Sequence, residues 1–430
     1  MILRDPVHGL VAFEGDEERI VEQLMDTPEL QRLRRVRQLG VTSLAFPGAE
    51  HSRFSHAIGA AFVMKLLLVR LRAIEGVLPE AQRVTRDRAR EVLAAALLHD
   101  LGHGPLSHLF EDAIPGAPPH ETWTERVVLD PSTGVHRVLA SIDSTLPRRV
   151  VDLVHGRHEL PYLAKAVSGE FDVDRCDYLL RDAHATGVRY GVYDLDWLLR
   201  SLRFAPSSGR AEAPALAIDG AKGLPAIEAF ITARLFMFQQ VYLHKATRAA
   251  EWMISTILSR AVTVIRDGGS LEGVPAAVKA IARGEPIALG DYLELDDGVL
   301  WGAMHMWEGA RDKALADLAR RIRARSLFKT LELFGEHATV GGRGRALEVA
   351  RDVARARGYE PDAYVGLDVA SDEPFGGQDD PLIVVYSKGP ARPLRDVSFL
   401  LGRLAGQVLS RLRLVLAPEL REPVTHALGL

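Results

Sequence analysis

Ala94-Ala95-Ala96-Leu97-Leu98-His99-Asp100-Leu101-Gly102-His103-Gly104-Pro105-Leu106-Ser107-His108 is the stretch whose reading decides the fold. Residues 92–98 are apolar on every side, which marks a helix buried deep in a core. Gly102, Gly104 and Pro105 then stop it within one turn of His99-Asp100. Burying unpaired imidazole and carboxylate is costly, so their place at a buried helix end needs a reason. A divalent cation is the most economical one, because both groups are good ligands and the helix C-terminus favours positive charge. His99-Asp100 alone also reads as a helix end with two satisfied polar residues. His103 and His108, close behind, favour a site.

Working outward, six of the 15 histidines fall in one region: His51, His56, His99, His103, His108 and His120. His56 opens a helix over residues 57–71 whose small residues Ala57, Gly59, Ala60 and Ala61 permit close packing. His120 starts another helix after a Gly-Ala-Pro-Pro break. A second dense stretch runs from Glu170 to His184. There Asp174, Asp177, Tyr178, Arg181 and Asp182 recur at helical spacing among apolar neighbours, which points to a buried polar face. Cys176 reads as a small core residue.

Elsewhere the pattern predicts a β-hairpin over residues 2–13 and a helix over 29–38, capped by Asp26 or Thr27. The arginines of that helix read as a solvated face or an anion site. A second hairpin spans 202–223, with its tip at Ser207-Ser208-Gly209-Arg210. Helical tracts cover 225–266, 274–283 and 300–323. Beyond about residue 336 come a helix over 345–357, strand-like runs at 363–370, 382–387 and 412–417, and a largely helical 397–414.

The 430 residues are 47% hydrophobic and 26% charged, ordinary for a globular chain with a large core. A net charge of −4 supplies no basic field for nucleic acid or anionic membrane. One cysteine excludes an internal disulfide. The N-terminus has no apolar leader core, and no run is long enough to cross a bilayer, so a cytoplasmic protein is expected.

His56, His99, Asp100 and Asp174 form an N2O2 set suited to Mn, Fe, Co, Ni, Zn or, less readily, Mg. His103, His108 and His120 remain to move protons near neutral pH. Arg53, Arg175, Arg234 and Lys245 can bind phosphates. Together these fit hydrolysis of a phosphoester or phosphoanhydride.

The order His56, His99-Asp100, Asp174 resembles the H…HD…D signature of the HD-domain metal-dependent phosphohydrolases. Asp26-Thr27-Pro28, Gln38-Leu39-Gly40, Phe46-Pro47-Gly48-Ala49, Arg53-Phe54-Ser55-His56, Arg181-Asp182 and Tyr242-Leu243-His244-Lys245 are similar to the deoxynucleoside triphosphate triphosphohydrolase (dNTPase) branch. The resemblance spans roughly residues 1–335. It implies a mostly α fold: an all-helical HD core with short β-hairpins over 1–335 and a small α+β domain over 336–430. It implies a metal held by His56, His99, Asp100 and Asp174. It makes His108, supported by Glu111, the donor to the leaving 5′-oxygen, with His103 and His120 along the phosphates. Arg53 would take the α-phosphate, Arg175 and Arg234 the outer ones. Gln38, Leu39, Tyr178, Asp182 and Tyr242 would hold the deoxynucleoside. The products would be a deoxynucleoside and inorganic triphosphate; an HD phosphatase or phosphodiesterase acting on nucleoside monophosphates is the alternative. The resemblance also implies a homo-oligomer, a dimer or tetramer, and a guanine-nucleotide activator. Asp26, Gln31 and Arg34 would read its base, and Arg325 and Lys329 would come from a neighbouring subunit. Phe238 and Leu243 depart from the polar residues that the eukaryotic sterile-alpha-motif/HD-domain member places near the base, and Arg175 replaces a lysine.

Overall fold

The computed structural model describes residues 1–114, 117–205, 214–373, 375 and 382–430. The fold is mostly helical, as expected, with small sheets at the periphery.

Three helices build the centre. Arg53–Ile74 is capped by Ser52, Arg86–Leu98 by Thr85, and Val173–Thr186 by Asp172, each through a side-chain oxygen that accepts a first-turn amide. Arg53–Ile74 packs against both others, and its apolar residues run around most of its surface. Gly59 is what lets Val173–Thr186 come so close. A Cβ there would lie 1.9 Å from Asp177 Oδ1 and 2.3 Å from an Arg181 nitrogen. Gly102 does the same for the helix His120–Leu129: its Cβ would meet the His120 carbonyl at 2.1 Å.

The strands Ile2–Asp5 and Gly9–Ala12 form the expected hairpin. Leu202–Phe204 and Leu216–Asp219 pair antiparallel, while the tip expected at Ser207–Arg210 lies outside the described residues. Strands from both sides of residue 335 share sheets. Leu216–Asp219 runs parallel to Ile383–Val385, and Leu409–Leu416 lies between Lys329–Glu332 and Val365–Asp372.

Several expected helices are shorter. The helix over 29–38 is Pro28–Arg32 followed by a single tight turn, Leu33–Arg35. Val36 is extended, and Gln38 is reached on backbone that pairs with the approach to His56: Arg53 N donates to Val36 O and Gln38 N to His51 O, each at 2.9 Å. Thr27 stands at the N-cap position, but its side chain makes no capping bond. Asp26 ends the preceding helix, and the Thr27 hydroxyl donates back to Leu24 O at 2.7 Å. The 225–266 tract breaks at a wide turn, Phe238–Tyr242, between Leu224–Met237 and Lys245–Arg266. The 300–323 tract is Asp297–Met306 and Lys313–Arg323. Of 397–414, helix covers only Val397, the end of Leu394–Val397, and Phe399–Leu404, because residues from Leu409 onward pair along the whole of Val365–Asp372.

Gly59→Ala tests the central packing. It drives a methyl into a buried ion pair, so we expect a loss of about 3–5 kcal/mol in urea denaturation. A loss below about 1 kcal/mol would refute the tight-contact account.

Candidate metal centre and phosphate cleft

The site begins with two imidazoles whose outer nitrogens are committed. His56 Nδ1 donates to Asp177 Oδ2 at 2.8 Å, and His99 Nδ1 to the Ala96 carbonyl at 2.9 Å. These partners place a proton on each Nδ1, so both Nε2 atoms are turned inward as the ligating atoms. The two Nε2 atoms lie 3.3 Å apart, with Asp174 Oδ1 at 3.0 and 3.5 Å. Two ring nitrogens and a carboxylate oxygen this close call for positive charge among them, a proton in the free protein or a divalent cation in its place, so this donor set fits a metal. Burial alone would push the His56 pKa down. Hydrogen bonds to Asp174 and Asp177 outweigh it and carry it up to about 10, the mark of a pocket rich in negative charge. Asp174 is correspondingly held far below the usual carboxylate range. Asp100 stands beside this triad, Oδ1 3.4 Å from His99 Nε2 and Oδ2 3.7 Å from His56 Nε2, with Oδ2 ion-paired to Arg53.

Behind His56 lies a layer in which Asp177 and Arg181 belong to the expected buried polar face, while their partners His8 and Asp5 are marked by no sequence pattern. Asp177 is fully buried and also accepts from His8 Nε2 at 2.6 Å and from two Arg181 nitrogens at 2.7 and 2.9 Å. Arg181 continues to Asp5 at 2.8 Å.

A second group lies beside the first. The His103 and His120 rings are 3.7 Å apart, His108 is about 5 Å from each, and Glu111 holds His120 Nδ1 at 3.2 Å. Burial, then the Arg53 charge, push the pKa of His103 well down and that of His108 down as well, so both rings are neutral. Arg32 and Tyr292 fix the loop that carries them. Arg32 is buried and donates to Leu295 O at 2.9 Å and His103 O at 2.7 Å; Tyr292 donates to Gly102 O at 2.6 Å and stacks on Trp123. Arg32 is thus neither a solvated residue nor part of an anion site. Its partners are carbonyls distant in sequence, which no local pattern announces.

Both groups open on one cleft of about 560 Å³. Gln38, Leu39, Arg53, Arg175, Tyr178, Asp182 and Tyr242 line it together with His99, Asp100, Asp174, His103, His108 and His120. Asp182 is anchored on His51 at 2.8 Å and on the Tyr242 hydroxyl at 2.7 Å. Arg175 pairs with Asp172 and donates to Gly169 O at 2.7 Å. The Arg234 guanidinium lies 5.5 Å over the ring of Phe238, a cleft residue. Lys245 is exposed at the start of its helix and does not line the cleft. Glu251, missed in the sequence, does line it, and burial raises its pKa to about 7. Gln31 donates to Met25 O and accepts from Arg34 Nε, both at 2.7 Å, and Arg34 stacks 3.7 Å over Phe54. Arg325 donates to Leu44 O at 2.8 Å, and Lys329 is exposed on an edge strand.

The HD domain family model matches residues 53–182, a span that holds His56, His99, Asp100 and Asp174. Over 414 residues the chain is 32% identical to the uncharacterized protein YwfO of Bacillus subtilis, covering 94% of this chain and 89% of that one. It is 27% identical over 361 residues to the human deoxynucleoside triphosphate triphosphohydrolase SAMHD1, covering 76% of this chain. The chain spans 54% of that relative's length. The crystal structure of a phosphohydrolase from Bacteroides thetaiotaomicron superimposes with a TM-score of 0.80 at 28% identity, over 97% of this chain and 99% of that one. The chain belongs to the HD-domain family, and it is a metal-dependent phosphohydrolase.

His99→Ala and Asp100→Ala should each strip the bound transition metal, read by elemental analysis. Asp177→Asn leaves the cleft groups in place but loosens the hold on His56 Nδ1, along with the bonds to His8 and Arg181, and should weaken metal affinity by roughly 10–100-fold without abolishing it. Full occupancy in His99→Ala would remove the assignment.

Proposed function

We propose that this phosphohydrolase cleaves deoxynucleoside triphosphates to deoxynucleoside and inorganic triphosphate. The observation that carries this reading is a single cleft combining His99, Asp100 and Asp174 of the metal centre, the histidines His103, His108 and His120, Arg53 and Arg175, and the tyrosine pair Tyr178 and Tyr242, with ring centroids 6.4 Å apart. The chemistry fits a sugar packed on the tyrosine pair with its phosphates running toward the cations. The relatives named as dNTP triphosphohydrolases support the same reading.

In this scheme water attacks the α-phosphate as the P–O5′ bond breaks, and a metal held by His56, His99, Asp100 and Asp174 would supply Lewis acidity there. The chain's own residues do the rest. Arg53, already aligned by Asp100 and by Ser107 Oγ at 3.1 Å, binds the α-phosphate. Arg175 and Arg234 take the outer phosphates, and His103 and His120 line them. His108 donates the proton to the departing 5′-oxygen. It is neutral in the free protein, but phosphate negative charge beside it raises its pKa, so substrate binding itself loads the proton. Glu111, next to the histidine group, supports that charge. Asp182 keeps free lone pairs for the 3′-hydroxyl despite its two protein partners, and Gln38 and Leu39 complete the sugar end. Tyr242, tied to Asp182, leaves no room for a 2′-hydroxyl.

A guanine nucleotide activating a homo-oligomer, dimer or tetramer, is the regulatory part of the proposal. Asp26, Gln31 and Arg34 would read its base, and Arg325 and Lys329 would face them from a neighbouring subunit. Coupling to the cleft runs through the extended segment from Val36 to Gln38.

Incubation with each dNTP and Mn or Mg, followed by chromatography, should yield deoxynucleoside plus triphosphate, with ribonucleotides cleaved at least about 100-fold more slowly. Orthophosphate released from nucleoside monophosphates instead would overturn the proposal. For the activator, GTP should accelerate dATP cleavage in the wild type and not in Arg34→Ala. Equal rates in all four conditions would leave Asp26, Gln31 and Arg34 purely structural.

A further inference from the structure

The helix His108–Ala113 starts from an unusual backbone. Leu106 and Ser107 both have positive φ, 57° and 60°, and Ser107 has ψ −134°, a region that side-chain-bearing residues avoid. Such a turn persists only when its surroundings over-determine it. Gly40 leaves room for it, since a Cβ there would stand 3.0 Å from the Leu106 carbonyl. Ser107 Oγ donates to Arg37 O at 2.9 Å and accepts from Arg53 Nε at 3.1 Å. The remaining hold comes from far along the chain. Asp297, 4% exposed, accepts the Leu106 amide on Oδ1 at 2.8 Å and the Arg37 amide on Oδ2 at 3.0 Å.

One carboxylate therefore clamps two backbones: the turn that launches His108, and the segment that carries Gln38 and Leu39 into the cleft. Asp297 lies outside the 53–182 span matched by the family model, does not line the cleft, and its carboxylate bonds the backbones of Leu106 and Arg37. We infer that Asp297 is a positioning residue, setting His108 and the Gln38 segment at the separation the reaction needs. The inference rests on the reading of His108 as the proton donor. Asp296 is a built-in control: it caps Asp297–Met306 through the Val299 amide at 3.0 Å and pairs with Arg35, but holds neither backbone.

The test compares Asp297→Asn with Asp296→Asn in the full-length, metal-loaded protein. An amide nitrogen cannot accept, so Asp297→Asn loses one of the two backbone bonds at constant volume. A misplacement of about 1 Å costs about 10²-fold, so kcat for dNTP cleavage should fall roughly 30–100-fold, with KM and bound metal within about twofold of wild type. Asp297→Ser, which keeps a single acceptor, should give a comparable loss if the asparagine variant does not fold. Hydrogen exchange gives a readout independent of substrate: amides of residues 104–113 and 36–40 should exchange faster in Asp297→Asn and not in Asp296→Asn. If the wild type cleaves no dNTP, the nucleotide reading fails, and kcat is read on p-nitrophenyl phosphate beside the same exchange measurement. Matching kcat in the two variants, or unchanged exchange over 104–113, overturns the inference.

Discussion

The buried carboxylate of Asp177 is the interaction on which the rest depends. It has no water to solvate it, so its charge is stable only because His8, His56 and Arg181 supply donors to both oxygens. Those donors come from the N-terminal hairpin segment, the helix Arg53–Ile74 and the helix Val173–Thr186. Neutralising one charge thus fixes three elements against one another. Breaking such a network by removing one partner costs about 3–5 kcal/mol, because an uncompensated charge is left inside. The same bonds orient His56, so stability of the core and geometry of the metal centre are one property.

From that centre the electrostatics change along the cleft. The metal end is negative, with Asp100 and Asp174 held ionised by Arg53 and the imidazoles. The next zone consists of imidazoles kept neutral by burial and by Arg53. Arg53 serves both: it balances Asp100 and suppresses protonation of His103 and His108. An anion arriving there meets a guanidinium and rings ready to gain protons, while a metal ion finds lone pairs already aimed. The loop carrying these groups is held largely through its backbone by Arg32, Tyr292 and Asp297, so its side chains stay free for chemistry.

Much of this was legible from residues alone. His99 at the end of an apolar helix, His56 at the start of a small-residue helix and Asp174 in a polar-faced helix lie together, with Asp100 beside them. Gly59 was expected to permit close packing, and the structure supplies the reason in the Asp177 carboxylate. Less visible were helix ends. Residues 36–38 left the helix because the backbone found partners at His51 and Arg53, and residues 409–414 became strand because a partner strand lay along them.

The sequence by itself determined the helical character of the core, the order of the metal ligands and the chemical types gathered around them. These follow from apolar periodicity and from functional groups within a turn or two of one another. Tertiary structure alone decided that Arg32 is buried, that His8 and Asp5 stand behind the metal centre, and that Asp297 grips Leu106. It also decided that strands on both sides of residue 335 share sheets. Each of these is a bond between groups far apart in the chain, often with a backbone amide or carbonyl as one partner. Every residue carries those groups, so no side-chain pattern marks the ones that will be used.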